Sequence, residues 1–147
     1  MRTVFIFSIS LLFSACSYFA VGRYPFAEQY KTSVSKEDLI NLINSFKKTY
    51  PEYSSTTFKD HDSESNDYWY LSYFNDDKNR RIFFSYVIEK QGKATLGLVS
   101  VMSKKRYFDW YQINKDLFSW KKDREIKDYF EKEILNKILA QKPVLSN

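Results

Sequence analysis

Glycine, cysteine and histidine are scarce in this 147-residue chain, which holds three, one and one of them respectively. Each scarcity removes a class of function. With only Gly22, Gly92 and Gly97, the chain lacks the glycine-rich turns that let a backbone approach a phosphate closely, so Walker-type and Rossmann-type nucleotide sites are excluded. Cys16 has no partner, which rules out a disulfide within the chain and leaves the fold to be held by its core. His61 alone cannot build a histidine-rich zinc site. No repeat at a solenoid period and no low-complexity segment is present. Aromatic residues, at 19%, are what the chain has in abundance.

The chain opens with Arg2 and the apolar run Val4-Phe5-Ile6-Phe7-Ser8-Ile9-Ser10-Leu11-Leu12-Phe13, followed by small Ser14 and Ala15 and then Cys16. A positive start, an apolar core of this length and small residues at its end make an export signal. Ordinary signal peptidase requires small residues at the last and third-last positions of the leader. A cut after Ala15 puts Phe13 in the third-last position and a cut after Ala20 puts Tyr18 there, and both fit badly. The stretch Leu12-Phe13-Ser14-Ala15-Cys16 instead resembles the lipobox of bacterial lipoproteins, in which two small residues precede the cysteine whose thiol receives lipid. Ser14, Ala15 and Cys16 match, and Phe13 stands where the family usually has leucine. The resemblance implies loss of residues 1–15, a diacylglycerol on Cys16 and a palmitate-type acyl chain on the new amino terminus; it carries no catalytic information. At ~0.8 kcal/mol per buried methylene, two or three chains anchor durably where one does not. The alternatives are a leader retained as a marginal anchor, since residues 4–22 approach the ~20 residues of a membrane span, and a cleaved, soluble product. Residues 17–22 hold no acid of the kind that displays some lipoproteins on the cell surface. The expected address is therefore the cell membrane or the outer membrane, with the domain facing the periplasm.

Without residues 1–15 the chain keeps 132 residues, enough for one domain. The expected division is a tether over 16–34, a domain over 35–142 and a tail over 143–147. Net charge, +5 for the chain and +4 without Arg2, favours an anionic neighbour without demanding one. Ser35 as cap, Asp38 three residues on, and Leu39, Leu42, Ile43, Phe46 and Tyr50 on one face predict a helix over 36–50, ended by Pro51. Residues 60–67 then collect Asp60, His61, Asp62, Glu64 and Asp67 among polar neighbours. Counted from Asp60, a calcium loop would need Gly at Ser65 and Glu at Leu71, so the motif fails and a solvated loop is expected. Sequence spacing supplies His61 with no nucleophile or orienting partner. No metal and no cofactor is expected.

Aromatic and β-branched runs over 68–74, 81–88 and 94–102, joined by short polar separators, predict antiparallel strands, with a fourth over 107–113. The pleat sets Ile82, Phe84, Tyr86 and Ile88 against Phe83, Ser85 and Val87, and the first set is expected to face the core. Trp69, Leu71 and Tyr73 oppose Tyr68, Tyr70 and Phe74, while Leu96 and Leu98 oppose Val99 and Val101, so neither sheet face is cleanly polar. The second face is expected to be covered by the tether, the preceding loop or another copy, or used by a ligand that stacks on aromatics, such as a glycan. A final helix over 121–140 carries Ile126, Phe130, Ile134 and Ile138, widened by Tyr129, Leu135 and Leu139. Its outer face is expected to pair Asp123, Asp128 and Glu133 with Lys127, Lys132 and Lys137.

The fold class expected is α+β, a two-layer domain with a three- to four-stranded antiparallel sheet flanked by an N-terminal and a long C-terminal helix. The function expected is a membrane-anchored, non-enzymatic binding or accessory domain for a protein or envelope partner. Beyond membrane lipid through Cys16, the partner classes are an envelope protein or a glycan. Lys104-Lys105-Arg106 ahead of Tyr107-Phe108-Asp109-Trp110-Tyr111 interleaves bases with aromatics as a nucleic-acid surface does, but the exported address argues against nucleic acid. The candidate binding surface comprises Trp69, Tyr73, Lys104, Lys105, Arg106, Trp110 and Tyr111. Two alternatives stand beside it: an inhibitor or immunity-type lipoprotein that blocks one toxic protein, and a hydrolase using His61 with the acids of residues 60–67.

Overall fold

Residues 23–63, 68–105 and 109–141 are described by the structure, a computed structural model. The leader, Cys16, the acids Glu64 and Asp67, Arg106 and the tail over 143–147 lie outside the described residues. The chain runs through β1 (Glu28–Lys31), α1 (Lys36–Thr49), a 3-10 turn (Pro51–Tyr53) and β2 (His61–Asp62) to β3 (Tyr70–Asp76), β4 (Arg81–Lys90) and β5 (Lys93–Ser103). β6 (Trp110–Gln112) and a second 3-10 turn (Leu117–Ser119) lead into α2 (Trp120–Phe130), which continues through a π-helical turn (Glu131–Leu135) into α3 (Asn136–Leu139). The fold is α+β, with an open antiparallel sheet in the order β1-β5-β4-β3-β2. β1 and β6 share the outer edge of β5, at residues 95–98 and 100–102 respectively. Six strands replace the three or four expected, because β1 and β2 are short, polar and defined only by their pairing.

Local chemistry sets the element ends. The Ser35 hydroxyl accepts the Asp38 amide at 3.1 Å, the anticipated cap of α1, and Glu89 accepts the Lys36 amide at 3.0 Å, tying the helix start to the end of β4. Pro51 stops the helix. Gln91 and Gly92, both at positive φ, form the two-residue turn between β4 and β5, a backbone that matches strand twist. At the other end, buried Asp76 accepts from Arg81 at 2.7 Å and from the Asn79 amide group at 2.9 Å, fixing the turn between β3 and β4.

The helices pack on one face of the sheet. Leu39, Leu42, Ile43 and Phe46 of α1 and Ile126, Phe130, Ile134, Leu135 and Ile138 of the C-terminal run meet Phe74, Phe83, Val87, Leu96, Leu98 and Val101. A strict four-residue spacing drifts about 40° per step on an α-helix. The wider turn over Glu131–Leu135 takes up that drift and keeps Ile126, Phe130, Ile134 and Ile138 all buried. Three expectations are corrected here. The helix-covered face of β4 is Phe83 and Val87, not Ile82, Phe84, Tyr86 and Ile88; of the latter set, Phe84, Tyr86 and Ile88 line the second face. Leu98 and Val101 lie on the same face, because a bulge opposite Phe84 and Ser85 inserts Val99 as an extra residue. On the last helix Leu139 is exposed, Asp123 is buried, and Lys127 reaches Glu28, so of the anticipated outer pairs Glu133 to Lys137, at 2.9 Å, is the one the geometry displays.

Candidate functional site

The second sheet face gathers three of the candidate surface residues. Trp69, Tyr73 and Trp110 join Phe84, Tyr86, Leu71, Ile88 and Val99 there, and none of the three is fully exposed. Two chain segments cover them. The Tyr24 ring stacks on Tyr86 at 5.6 Å and meets Trp69 and Phe84 edge-on at 5.6 and 5.4 Å. From the loop before β2, Phe58 stacks on Tyr73 at 5.0 Å and tilts against Trp110 at 5.6 Å, with His61 parallel to Tyr73 at 6.4 Å. Edge and offset contacts of this kind suit the ring quadrupoles, so the face is a second packed cluster. Its tightest point is Gly97, which lies opposite Tyr86 in register. A Cβ there would overlap the Tyr86 ring, so only glycine lets that ring lie across β5.

Of the acid-rich stretch, His61 and Asp62 are exposed as expected, but Asp60 is not solvated. Asp60 forms an ion pair with Lys47 of α1 at 2.5 Å, with side chains only 15% and 12% exposed. The same carboxylate accepts the Ser72 hydroxyl at 3.0 Å and the Tyr73 amide at 2.9 Å, while the Lys47 ammonium also donates to the Tyr73 carbonyl at 2.8 Å and lies 4.5 Å from the Phe74 ring. Burial holds the Lys47 pKa below the ordinary lysine value, against the opposing pull of Asp60. His61 directs Nδ1 to the Lys59 carbonyl at 2.9 Å. Asp60 thus fastens the loop to α1 and β3, while the exposed His61 makes a contact local to the loop. Among the described residues no three histidine, cysteine, aspartate or glutamate side chains converge as metal ligands.

Tyr111, next to Trp110, packs on the other side of the sheet, although both border the groove between β6 and α2. It packs against the helix-side core, donates its hydroxyl to buried Asp123 at 2.9 Å, and carries the Lys122 ammonium 3.5 Å from its ring centroid. Burial raises the Tyr111 pKa. Tyr111 lines a groove of about 1020 Å³ between β6 and α2, together with Arg81, Asp109, Lys122 and Ile126. Lys104 sits at the far end of β5 and bonds Asp77 at 2.7 Å, a contact that holds the Asp77 carboxyl below the usual range; Lys105 is exposed beside it.

Sequence reasoning missed Lys47, Tyr24 and Phe58, the side chains that close the second face and its loop. An aromatic surplus on both faces of β3 and β4 signals that covering residues exist without naming them. It also missed residues 117–120, where Leu117 and Phe118 are 88% and 95% exposed. Against protein-family models, curated proteins and solved structures, the chain finds no match. Among the described residues no helix is long and apolar enough to cross a membrane.

Proposed function

We propose that the chain is a lipoprotein of the bacterial cell envelope, anchored through Cys16 and facing the periplasm, whose α+β domain binds an envelope protein rather than performing a reaction. The observation that carries this reading is the order of parts: Ser14-Ala15-Cys16 stands seven residues ahead of Arg23, and from Tyr24 onward the chain is packed into the domain. Such a chain holds a folded body close against its anchor. Binding is favoured over hydrolysis because Asp60 is held in the ion pair with Lys47, and the contact made by His61 Nδ1 is to the Lys59 carbonyl. It is favoured over a stacked glycan because Tyr24 and Phe58 occupy the aromatic face.

The groove between β6 and α2 is then the best-shaped surface for a partner, with apolar Ile126, aromatic Tyr111 and the charges of Arg81, Lys122 and Asp109 within one concavity. A photo-crosslinking residue at exposed Asp109, in the full chain within producing cells, should trap a discrete envelope protein. The same residue at Lys90, by the hairpin at the opposite end of β5, should not. One dominant partner would narrow the reading to the inhibitor or immunity type. Absence of a specific adduct at Asp109, or the same adducts at both positions, would refute the groove as a docking site.

A further inference from the structure

Most large apolar side chains of the described residues are buried, and the strongest exceptions fall together. Leu117, Phe118 and Trp120 are 88%, 95% and 61% exposed on the turn between β6 and α2. The turn is held in shape: Asp116 accepts the Phe118 amide at 3.0 Å and the Ser119 hydroxyl at 3.3 Å, and its carbonyl accepts the Ser119 amide at 3.0 Å. These side chains are therefore displayed on a fixed support.

Their surroundings select a bilayer. Lys115, Lys121, Lys122 and Arg124 flank the turn, with the Arg124 guanidinium 5.2 Å from the Trp120 ring. Of the two acids in the same stretch, Asp116 is tied into the turn and Asp123 is buried against Tyr111. Tryptophan and phenylalanine beside lysine and arginine is the composition of a membrane interface, where rings enter the headgroup boundary and cations meet anionic lipid. Leu117 and Phe118 also border the groove between β6 and α2, so the element stands at the rim of that groove. The start of the domain lies at the same place. Asn114, three residues before Leu117, donates to the Phe26 carbonyl at 3.2 Å and to Glu28 at 2.9 Å, and Lys127 bonds Glu28 at 3.1 Å. Phe26 is itself 45% exposed. Cys16 precedes Phe26 by ten residues, a reach of at most about 35 Å.

We infer that residues 117–120 form a membrane-contact element, inserting Leu117, Phe118 and Trp120 into the interface of an anionic bilayer. The inference rests on the membrane address read at Cys16, and it sets the orientation: the turn over residues 117–120 faces the lipid, and the groove beside it opens at the membrane surface. The full chain, purified from membranes, is reconstituted into phosphatidylglycerol and phosphatidylethanolamine vesicles carrying brominated acyl chains, which quench nearby indoles. Wild-type emission should be quenched, the quenched component should vanish in Trp120→Phe, and Leu117→Ser with Phe118→Ser should reduce it by about twofold or more. Circular dichroism should stay unchanged in these variants, because the substituted side chains are exposed. Equal quenching in wild type and Trp120→Phe, or none in either, overturns the inference. Intact mass of the same samples separates the two readings: acylated Cys16 without Trp120 quenching sinks the contact alone, and quenching of Trp120 in a chain with unmodified Cys16 sinks the anchor alone.

Discussion

Replacing Tyr24 by alanine should open the second sheet face. The ring makes one stacked and two edge-on contacts, to Tyr86, Trp69 and Phe84, at 5.4 to 5.6 Å. Tyr24 is partly buried. Removing about 75 Å² of buried ring at ~25 cal/mol per Å² costs about 2 kcal/mol, and the favourable ring geometry raises the loss to roughly 2–3 kcal/mol. Urea unfolding followed by circular dichroism should show a midpoint lower by about 1–2 M, given a slope of about 1.5 kcal/mol/M. Trp69 emission should shift to the red as the indole loses its cover, and Tyr24→Phe, which keeps the ring, should behave as wild type. A change below about 0.5 kcal/mol in Tyr24→Ala would refute the claim that the chain closes this face itself, and would return Trp69 and Tyr73 to the list of ligand-binding candidates.

Asp60→Ala leaves the Lys47 ammonium buried without its carboxylate and should cost about 3 kcal/mol in the same unfolding assay, whereas Lys47→Met combined with Asp60→Ala should recover much of that loss; equal losses would deny the coupling. Gly97→Ala forces the Tyr86 ring out from among Tyr24 and Trp69 and should destabilise by about 1–3 kcal/mol, with wild-type stability refuting the close approach. Burial raises the pKa of Tyr70, Tyr86 and Tyr129 from the ordinary 10 to about 12. Because the folded chain keeps these protons longer than the unfolded one, their contribution is complete below pH 10 and is lost as pH rises through about 12. Thermal melts at successive alkaline pH should therefore show Tm falling across that window, and a flat profile would deny that the three hydroxyls are buried in their neutral form.

What was legible in the sequence follows what is local. α1 announces itself through Ser35, Asp38 and a clean apolar stripe, and the last helix through Ile126, Phe130, Ile134 and Ile138, all of which are buried. β4 and β5 were legible because Val, Ile and Phe dominate both pleat faces, but that same surplus hides which face receives the helices. Only the distant positions of α1 and α2 settle it. β1 reads as tether, since Glu28-Gln29-Tyr30-Lys31 has one apolar residue and becomes a strand by pairing with β5. Asp60 reads as solvated because its partner Lys47 sits thirteen residues earlier on a helix face that sequence periodicity marks as outer. Leu117 and Phe118 carry the opposite lesson: apolar letters suggest core, and exposure is a property of the assembled surface. Of the candidate surface, the alternation in β3 set Trp69 and Tyr73 on one face, but the sequence could not place Trp110 beside them or separate it from Tyr111, whose hydroxyl serves Asp123 on the other side.

The most direct test of the proposed anchor is the intact mass of the protein taken from a membrane fraction, wild type beside Cys16→Ser. The account predicts a chain beginning at Cys16 that carries diacylglycerol and a further acyl group, with that species missing in the variant. An unmodified chain beginning at Met1 in the wild type would contradict it.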